Sequence, residues 1–546
     1  MTSPDPGTKW WGWGPAERQP ELSTAQAELL EAELGATQAT PPVELDQVTL
    51  DEPRSLPETV LGAVASDAVL TAKEDRVRHA AGQSYPDLIR LRSGELPDAP
   101  DAVLLPASAG EVAAVLTACA AERVAVVPFG GGTSVVGGID PHRAGFERLI
   151  CLDMSRMRDV EVDRRSLTAR LGPGLTGPEA EAALARADVT LGHHPQSFEY
   201  ATIGGFAATR SAGQASSGYG RFDALVVSAR LTTPVGELAT LETPHTAAGP
   251  ALRELILGSE GVLGVITEVG VRVRPVPEAR RHEAWMAADF ESGLEIVREL
   301  AQLGVSPDVV RLSDRDETRL SLAMSASDAL ARRAFDGYLR ARRRSDGCIL
   351  IFGWDGDRES VSRRRSLAAR VIRHGDGAYL GQAPGRAWEH GRFAGPLLRE
   401  TLLDHGIFVE TLETSHTWSR LGELYAAVAA AIRSTLEAQG TPGLVLCHVS
   451  HLYPDGASLY FTFMARRRIG DELEQWRAVK TAACEAIVGA GGTITHHHAV
   501  GRDHAPYMAA EIGELGLEAL RAVKQRLDPV GIMNPGKLID PAKDGA

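Results

Sequence analysis

Val124-Ala125-Val126-Val127-Pro128-Phe129-Gly130-Gly131-Gly132-Thr133-Ser134 decides the fold. Its four leading apolar residues predict a short buried strand, and the chain then runs straight into three glycines and two hydroxyl residues. Successive backbone N–H groups can hold a pyrophosphate without basic side chains, and only glycine lets the main chain come that close. Upstream, Ala102-Val103-Leu104-Leu105-Pro106 reads as a first buried strand. Ser108 and Glu111 have capping-box spacing before a helix with apolar Val112, Val115, Leu116 and Cys119. The unit is strand, helix, strand and glycine loop. It lacks the G-x-G-x-x-G spacing of a Rossmann turn, which disfavours NAD(P) held that way. A single glycine turn after a strand serves structure as readily as a ligand, so the weight falls on whether such turns recur along the chain.

Three more small-residue segments occur in order: Gln196-Ser197-Phe198-Glu199-Tyr200-Ala201-Thr202 with Gly204-Gly205, then Thr209-Arg210-Ser211-Ala212-Gly213, then Glu260-Gly261-Val262-Leu263-Gly264-Val265-Ile266. Between them the chain alternates β-rich pieces with glycine turns as far as Arg274-Pro275-Val276-Pro277-Glu278, a proline-punctuated exit from a strand. Beyond it lie long Ala/Leu/Arg helices and apolar strands at Cys348 to Phe352 and Leu459 to Phe463. A helix carrying Leu517, Leu520, Val523 and Leu527 and the turn-rich DPVGIMNPGKL (528–538) close the chain. The expected class is α+β. Residues 1–97 read as a tail with peripheral helices, 98–280 as a cofactor lobe, 281–500 as a second, cap lobe with an antiparallel sheet, and 501–546 as a helical return to the first lobe.

At 546 residues the chain exceeds a single hydrophobic core. A net charge of −15 argues against a nucleic-acid partner, which needs a basic face. Five scattered cysteines, Cys119, Cys151, Cys348, Cys447 and Cys484, suggest neither a disulfide framework nor a zinc site. No signal peptide, bilayer-length apolar run or peroxisomal C-terminus (the chain ends Asp544-Gly545-Ala546) is found, so a cytoplasmic protein is expected. Trp10, Trp11 and Trp13 read as anchors for the N-terminal tail, and Ser23 with Gln26 as the cap of its helix.

The glycine segments and DPVGIMNPGKL, spanning roughly residues 70 to 540, together resemble the FAD-contacting framework of the vanillyl-alcohol-oxidase (p-cresol methylhydroxylase, PCMH-type) flavoproteins, with their two-subdomain FAD domain and FAD-linked-oxidase C-terminal cap. That resemblance implies FAD along the segments quoted above. Thr133 stands where some relatives tether flavin through a histidine, which implies non-covalent FAD. KWWGWG (9–14), PFGGGTSVVGG (128–138), GHHPQSFEYATIGGFAATRSAG (192–213), GSEGVLGVITEVGVRVRP (258–275), Leu459-Tyr460-Phe461 and Thr495-His496-His497-His498-Ala499-Val500-Gly501 resemble the alkyldihydroxyacetonephosphate synthase family. The family implies exchange of the acyl group of acyl-dihydroxyacetone phosphate for a fatty alcohol, through a flavin N5 adduct and without net redox change. It also implies a homodimer with peripheral membrane contact.

In that resemblance Tyr460 is the acid/base, and His496, His497 and His498 favour its phenolate and hold the substrate phosphate. Arg399 lies near flavin and substrate, His193 near the reacting centre, Thr411 at a position where the family often has serine, and Arg311 at a position important for activity. Without the family, Arg399 reads equally as a helix ion pair with Glu400 and Asp404, and Arg311 as a structural clamp. The three histidines are open to metal binding, polar packing or anion and proton-transfer work. If they sit in a strand, His496 and His498 share a face that His497 does not. Leu397-Leu398 and Ala426 to Ile432 are candidates to line an alkyl tunnel, with core packing the alternative. The rival is an FAD-dependent D-2-hydroxyacid dehydrogenase, whose relatives bind a metal through an HxGDGNxH segment and a later glutamate. Here the matching segment runs His451 to Tyr460, with tyrosine where a ligand histidine would lie, and His497 replaces the carboxylate, so no metal is expected.

Overall fold

Residues 8–96, 98–325 and 329–539 are described by a computed structural model; Asp544-Gly545-Ala546 lies outside them. The strand predicted at Val124 spans Val124–Phe129 and lies parallel to Arg148–Asp153, which is parallel in turn to Ala102–Leu104. Val69–Leu70 completes this four-stranded sheet. A parallel sheet is covered on both faces, so its strands need unbroken apolar runs; Val124, Ala125, Val126 and Val127 are each fully buried. The crossover is the helix Ala109–Glu122, with Val112, Val115, Leu116 and Cys119 turned inward. Its cap differs from the expected reciprocal box. The Ser108 hydroxyl accepts from Glu111 N, but the Glu111 carboxylate accepts from Ala107 N instead of Ser108 N.

A second, antiparallel sheet runs Val160–Asp163, Thr168–Leu171, Val265–Arg272, Val226–Thr233, Gly236–Ala239 in spatial order. The largest sheet has seven strands, all antiparallel: Ala378–Gly381, Ala279–Ala287, Cys348–Gly356, Val309–Ser313, Leu444–Leu452, Gly456–Arg466 and Ile407–Thr417. Side chains alternate across its pleat. Leu459, Phe461 and Phe463 go to a core shared with Val428, Ala429 and Ile432 of the helix Trp418–Ala438. Ala426 to Ile432 therefore serves that core on the far face and lines no tunnel.

The opposite face of this sheet receives the N-terminal segment. Helix Thr24–Leu34 begins with both halves of the Ser23/Gln26 capping box, and Leu30 and Leu34 pack on Ile407, Val409, Leu444, Leu446 and Met464. The segment is less peripheral than expected. Trp10 and Trp13 are buried, and Trp13 meets the Tyr200 ring edge-on at 6.0 Å. Among the described residues no helix is long and apolar enough to cross a membrane.

The C-terminal turn is held by one carboxylate. Asp528 accepts from Gly531 N, Ile532 N and Met533 N and pairs with the Lys524 ammonium. This places Ile532 to Asn534 beside Val126, with Val126 N donating to Ile532 O and Asn534 N to Val126 O. The Asn534 amide then donates to Gly138 O at 2.9 Å and Glu260 O at 2.7 Å, joining two of the glycine segments. Asn534→Asp keeps the shape but faces both carbonyls with an acceptor. It is expected to cost at least about 2 kcal/mol in urea denaturation, because two buried acceptors lose their donor beside a buried charge.

Candidate active site

The three sheets meet around a cavity of about 730 Å³, in the upper part of the range for small-ligand sites. Its first wall is main chain. Gly130, Gly131 and Gly132 cross the Gln196–Thr202 segment so tightly that a Cβ on Gly131 would sit 1.9 Å from Tyr200 O, and one on Gly130 2.4 Å from Thr202 Oγ1. Gly132 and Gly261 also take φ of +70° and +75°, which side chains resist. Such a cradle, with no basic side chain filling it, fits a diphosphate. Of the expected cofactor residues, Pro128, Phe129, Gly130, Gly131, Gly132, Thr133, Ser134, Gln196, Ser197, Ala201, Thr202, Gly205, Thr209, Ser211, Ala212, Glu260, Gly261, Gly264, Val265 and Ile266 line the cavity.

Phe198, Tyr200, Arg210, Gly213, Val262 and Leu263 are not among the lining residues and act as backing. Phe198 stacks on Phe393, Arg210 donates to Leu257 O and Glu254 O, and Val262 and Leu263 are core. Glu260 has a second task, accepting Val500 N and Gly501 N. Burial pushes its carboxyl up to about 7 against those two amides.

The second wall is the seven-stranded sheet, whose register orders the chemistry. Glu413 lies opposite Tyr460, and Tyr460 opposite His448. Two residues along, Thr411, Thr462 and Leu446 form the next row, then Val409, Met464 and Leu444. Each step is about 7 Å, so the wall grades from titratable to hydroxylic to apolar over roughly 14 Å. Leu30, Leu320, Met324, Leu398 and Leu402 extend the apolar end. Of the two candidates Leu397-Leu398, Leu398 lines the cavity, while Leu397 is buried and does not.

His496, His497 and His498 are not in a strand, so strict alternation of faces does not apply. Their segment is an irregular loop wrapped on the buried Glu413 carboxylate, which accepts all three of their backbone N–H groups and the Thr495 hydroxyl. Burial alone would raise Glu413; the attraction of any proton taken up by the neighbouring histidines and the hydrogen bond from Thr495 more than reverse it, holding the carboxyl well below its usual value. Burial also pushes the histidines down, His498 to about 3. They are therefore neutral, not the cationic neighbours expected to favour a Tyr460 phenolate. Burial lifts the Tyr460 phenol to about 12, opposed by a hydrogen bond with Thr411 and the charge of Arg399.

His451, His496 and His497 bring ring nitrogens within 4.8 Å of one another. Within this cluster His496 is engaged with the Tyr453 hydroxyl at 2.6 Å and His497 Nδ1 at 3.0 Å. His497 and His498 line the cavity while His496 stands behind them.

Arg399, buried on the helix Gly395–Asp404, lines the cavity. Its partner is not on its own helix: Glu400 and Asp404 pair with Arg92, while Arg399 Nη2 stands 3.8 Å from Glu410 Oε1. Arg399 donates Nη1 to Gln83 O, while its Nε and Nη2 have no hydrogen-bond acceptor among the described residues. Arg311 lines the cavity from Val309–Ser313, donating to Glu317 Oε1 at 2.7 Å and His448 Nε2 at 3.2 Å. Thr411 lines it as well. His193 does not: it is buried behind Ser211, with Nε2 3.1 Å from the Ser211 hydroxyl and its ring against Phe206 and Phe222. Sequence reasoning missed His448, Glu317 and the pivot role of Glu413. Only strand register reveals the first and third.

Residues 100–242 match the family model for the FAD binding domain, and 276–538 that for FAD linked oxidases, C-terminal domain. The alkyldihydroxyacetonephosphate synthase of Dictyostelium discoideum is 33% identical over 92% of this chain and 84% of its own length. That of Caenorhabditis elegans is 31% identical over 92% and 86%. A solved structure of an alkyldihydroxyacetonephosphate synthase superposes with a TM-score of 0.84 at 30% identity, covering 97% of this chain and 98% of its own. p-Cresol methylhydroxylase, at 15% identity and a TM-score of 0.66, shares the fold.

Gly131→Ala forces two main-chain segments apart and is expected to leave about a tenth or less of the wild-type flavin per chain, a loss of at least about 1.4 kcal/mol in binding. Absorbance of flavin released by acid precipitation measures it. Wild type should release all of its flavin, since Thr133 offers no imidazole for a covalent link.

Proposed function

The chain belongs to the alkyldihydroxyacetonephosphate synthase family, and from that premise we propose that it exchanges the acyl group of acyl-dihydroxyacetone phosphate for a fatty alcohol, with FAD as cofactor. The observation that carries this reading is the graded wall. An amphiphile with a phosphate at one end and an alkyl chain at the other matches a surface that passes from His498, Tyr460 and His448 to Val409, Met464 and Leu30. FAD, when bound, supplies the electron-rich ring nitrogen the exchange requires.

The chain's own residues then have these roles. The glycine segments hold the diphosphate through main-chain amides, leaving the ring end toward Tyr460 and the histidine loop. Arg399, with two unused donors and a permanent charge, holds an oxyanion on the substrate. Thr411 hydrogen-bonds Tyr460 and orients its hydroxyl for proton transfer at C1. Tyr460 keeps its proton at rest, so to work as a base it passes that proton to the neutral histidines against its ring, with the charge of Arg399 favouring the phenolate, and those histidines also accept protons when a phosphate enters. Arg311 faces the substrate from Val309–Ser313, separated from the Tyr460 strand by Leu444–Leu452, and His193 acts through Ser211. Residues 98–280 form the cofactor lobe, 281–500 the substrate lobe and 501 onward the return. The enzyme works in the cytoplasm as a homodimer in peripheral contact with a membrane, from which its lipid substrates reach the apolar end.

Anaerobic mixing of the FAD-loaded protein with acyl-dihydroxyacetone phosphate should shift the flavin band and release fatty acid. Reduction of the flavin by a D-2-hydroxyacid instead would sink the reading. Tyr460→Phe is expected to lower kcat by at least about 100-fold, the usual contribution of a positioned acid/base, with flavin content unchanged. Binding of dihydroxyacetone phosphate should take up protons at pH 7. The histidines are neutral in the free protein, and a nearby anion raises their affinity for protons. Affinity should therefore rise as pH falls through the bound-state values, read by calorimetry in buffers of different ionisation enthalpy.

A further inference from the structure

His448 on the strand Leu444–Leu452 is flanked on three sides by groups that face the cavity. Its Nε2 lies 3.2 Å from Arg311 Nη1 and its Nδ1 3.0 Å from Glu317 Oε1, and its ring stacks on Tyr460 with centroids 4.8 Å apart and planes 20° apart. A guanidinium only donates. The nitrogen facing Arg311 must therefore be the bare one, which leaves the proton on Nδ1 for Glu317. Glu317 Oε1 also accepts from Arg311 Nη2 at 2.7 Å, so the three side chains close a ring. In it every donor and acceptor has one permitted direction. The arrangement requires a neutral imidazole, and burial together with the Arg311 charge lowers the His448 pKa.

We propose that His448 is a positioning residue: as the Nδ1–H tautomer held by Glu317, it fixes the Arg311 guanidinium in the plane from which it meets substrate. This rests on the reading of Arg311 as a substrate-facing group. Arginine carries several rotatable bonds, and two fixed hydrogen bonds on one edge aim its remaining N–H groups without cost at the moment of binding. The same imidazole also backs the Tyr460 ring, so one side chain sets the relative placement of two working groups on the two strands that flank its own.

Two conservative variants separate these contacts. Glutamine can place its amide oxygen at the Nε2 position and keep the acceptor for Arg311. Asparagine reaches only the Nδ1 position and keeps the donor for Glu317. Both lose the stacked ring equally. The probe is dihydroxyacetone phosphate, titrated by calorimetry into FAD-loaded protein. His448→Asn is expected to bind it about tenfold more weakly than His448→Gln, in line with a hydrogen bond to a charged group. His448→Asn should add nothing to Arg311→Lys, because the tethered fork is already gone. Equal losses in the two variants, a larger loss in glutamine, or full additivity with Arg311→Lys would overturn the proposal.

A neutron structure of the FAD-loaded wild type decides the tautomer even if neither variant folds. Deuterium on Nδ1 with bare Nε2 supports the proposal; deuterium on Nε2 ends it. If wild type binds no dihydroxyacetone phosphate, the functional reading falls, and the neutron result still settles whether His448 holds Arg311.

Discussion

One irregular stretch, residues 494–501, carries the histidines, and it is held by carboxylates acting on its backbone, Glu413 and Glu260 buried and Glu511 exposed. Ile494 N donates to Glu511, His496, His497 and His498 N to Glu413, and Val500 and Gly501 N to Glu260. A helix would satisfy these N–H groups internally and a strand through its neighbour, but then the three rings could not converge. The loop gives up regular structure, and three acidic side chains from three different elements take over the backbone's hydrogen bonding. The site's shape depends on this exchange.

The carboxylates meet different fates according to how many donors each collects. Burying an ionised carboxyl is costly unless it is well hydrogen-bonded. Glu413 collects three amides and a hydroxyl beside imidazoles and stays anionic. Glu260 collects two amides, and burial wins, leaving it at about 7. Glu413 belongs to the seven-stranded sheet and Glu260 to the turn before Val265–Arg272 of the five-stranded one, so a single loop ties the two sheets together. Asn534 reinforces the tie by joining Gly138 to Glu260.

The features legible in the sequence were those where local chemistry has one solution. Three glycines after a buried strand need a close main-chain approach, and the structure has one at Tyr200 O. Tyr460 sits in an alternating apolar strand, so its inward-facing neighbours Leu459 and Phe461 follow from the pleat. Contacts set by long-range register were illegible. Nothing in Leu446-Cys447-His448 says that the imidazole will lie on Tyr460, and nothing in Glu413-Thr414-Ser415 says that a loop more than eighty residues later will wrap on that glutamate. Arg399 was recoverable only in part: its helix shows Glu400 and Asp404 beside it, yet both carboxylates turn to Arg92, a residue three hundred positions away. The tail misled in the other direction. Its polar composition suggests a periphery, while Trp13 and Leu30 form part of the cavity wall.

The electrostatic state of the wall follows from the same burial. With imidazoles neutral and the phenol protonated, the permanent cations on the cavity surface are Arg311 and Arg399, in a chain whose net charge is −15. Each guanidinium has a distinct constraint. Arg311 is already paired on one edge, so it presents geometry more than free charge. Arg399 stands 3.8 Å from Glu410 and leaves two donors without a hydrogen-bond acceptor, so it presents charge more than fixed geometry. On the function proposed above, an anion entering between them is countered by the second and aligned by the first. The histidine loop, neutral beforehand, can then take up protons without having imposed a standing positive potential on the buried site. A cavity arranged in this way favours an anionic head over water while leaving the apolar end to select the chain.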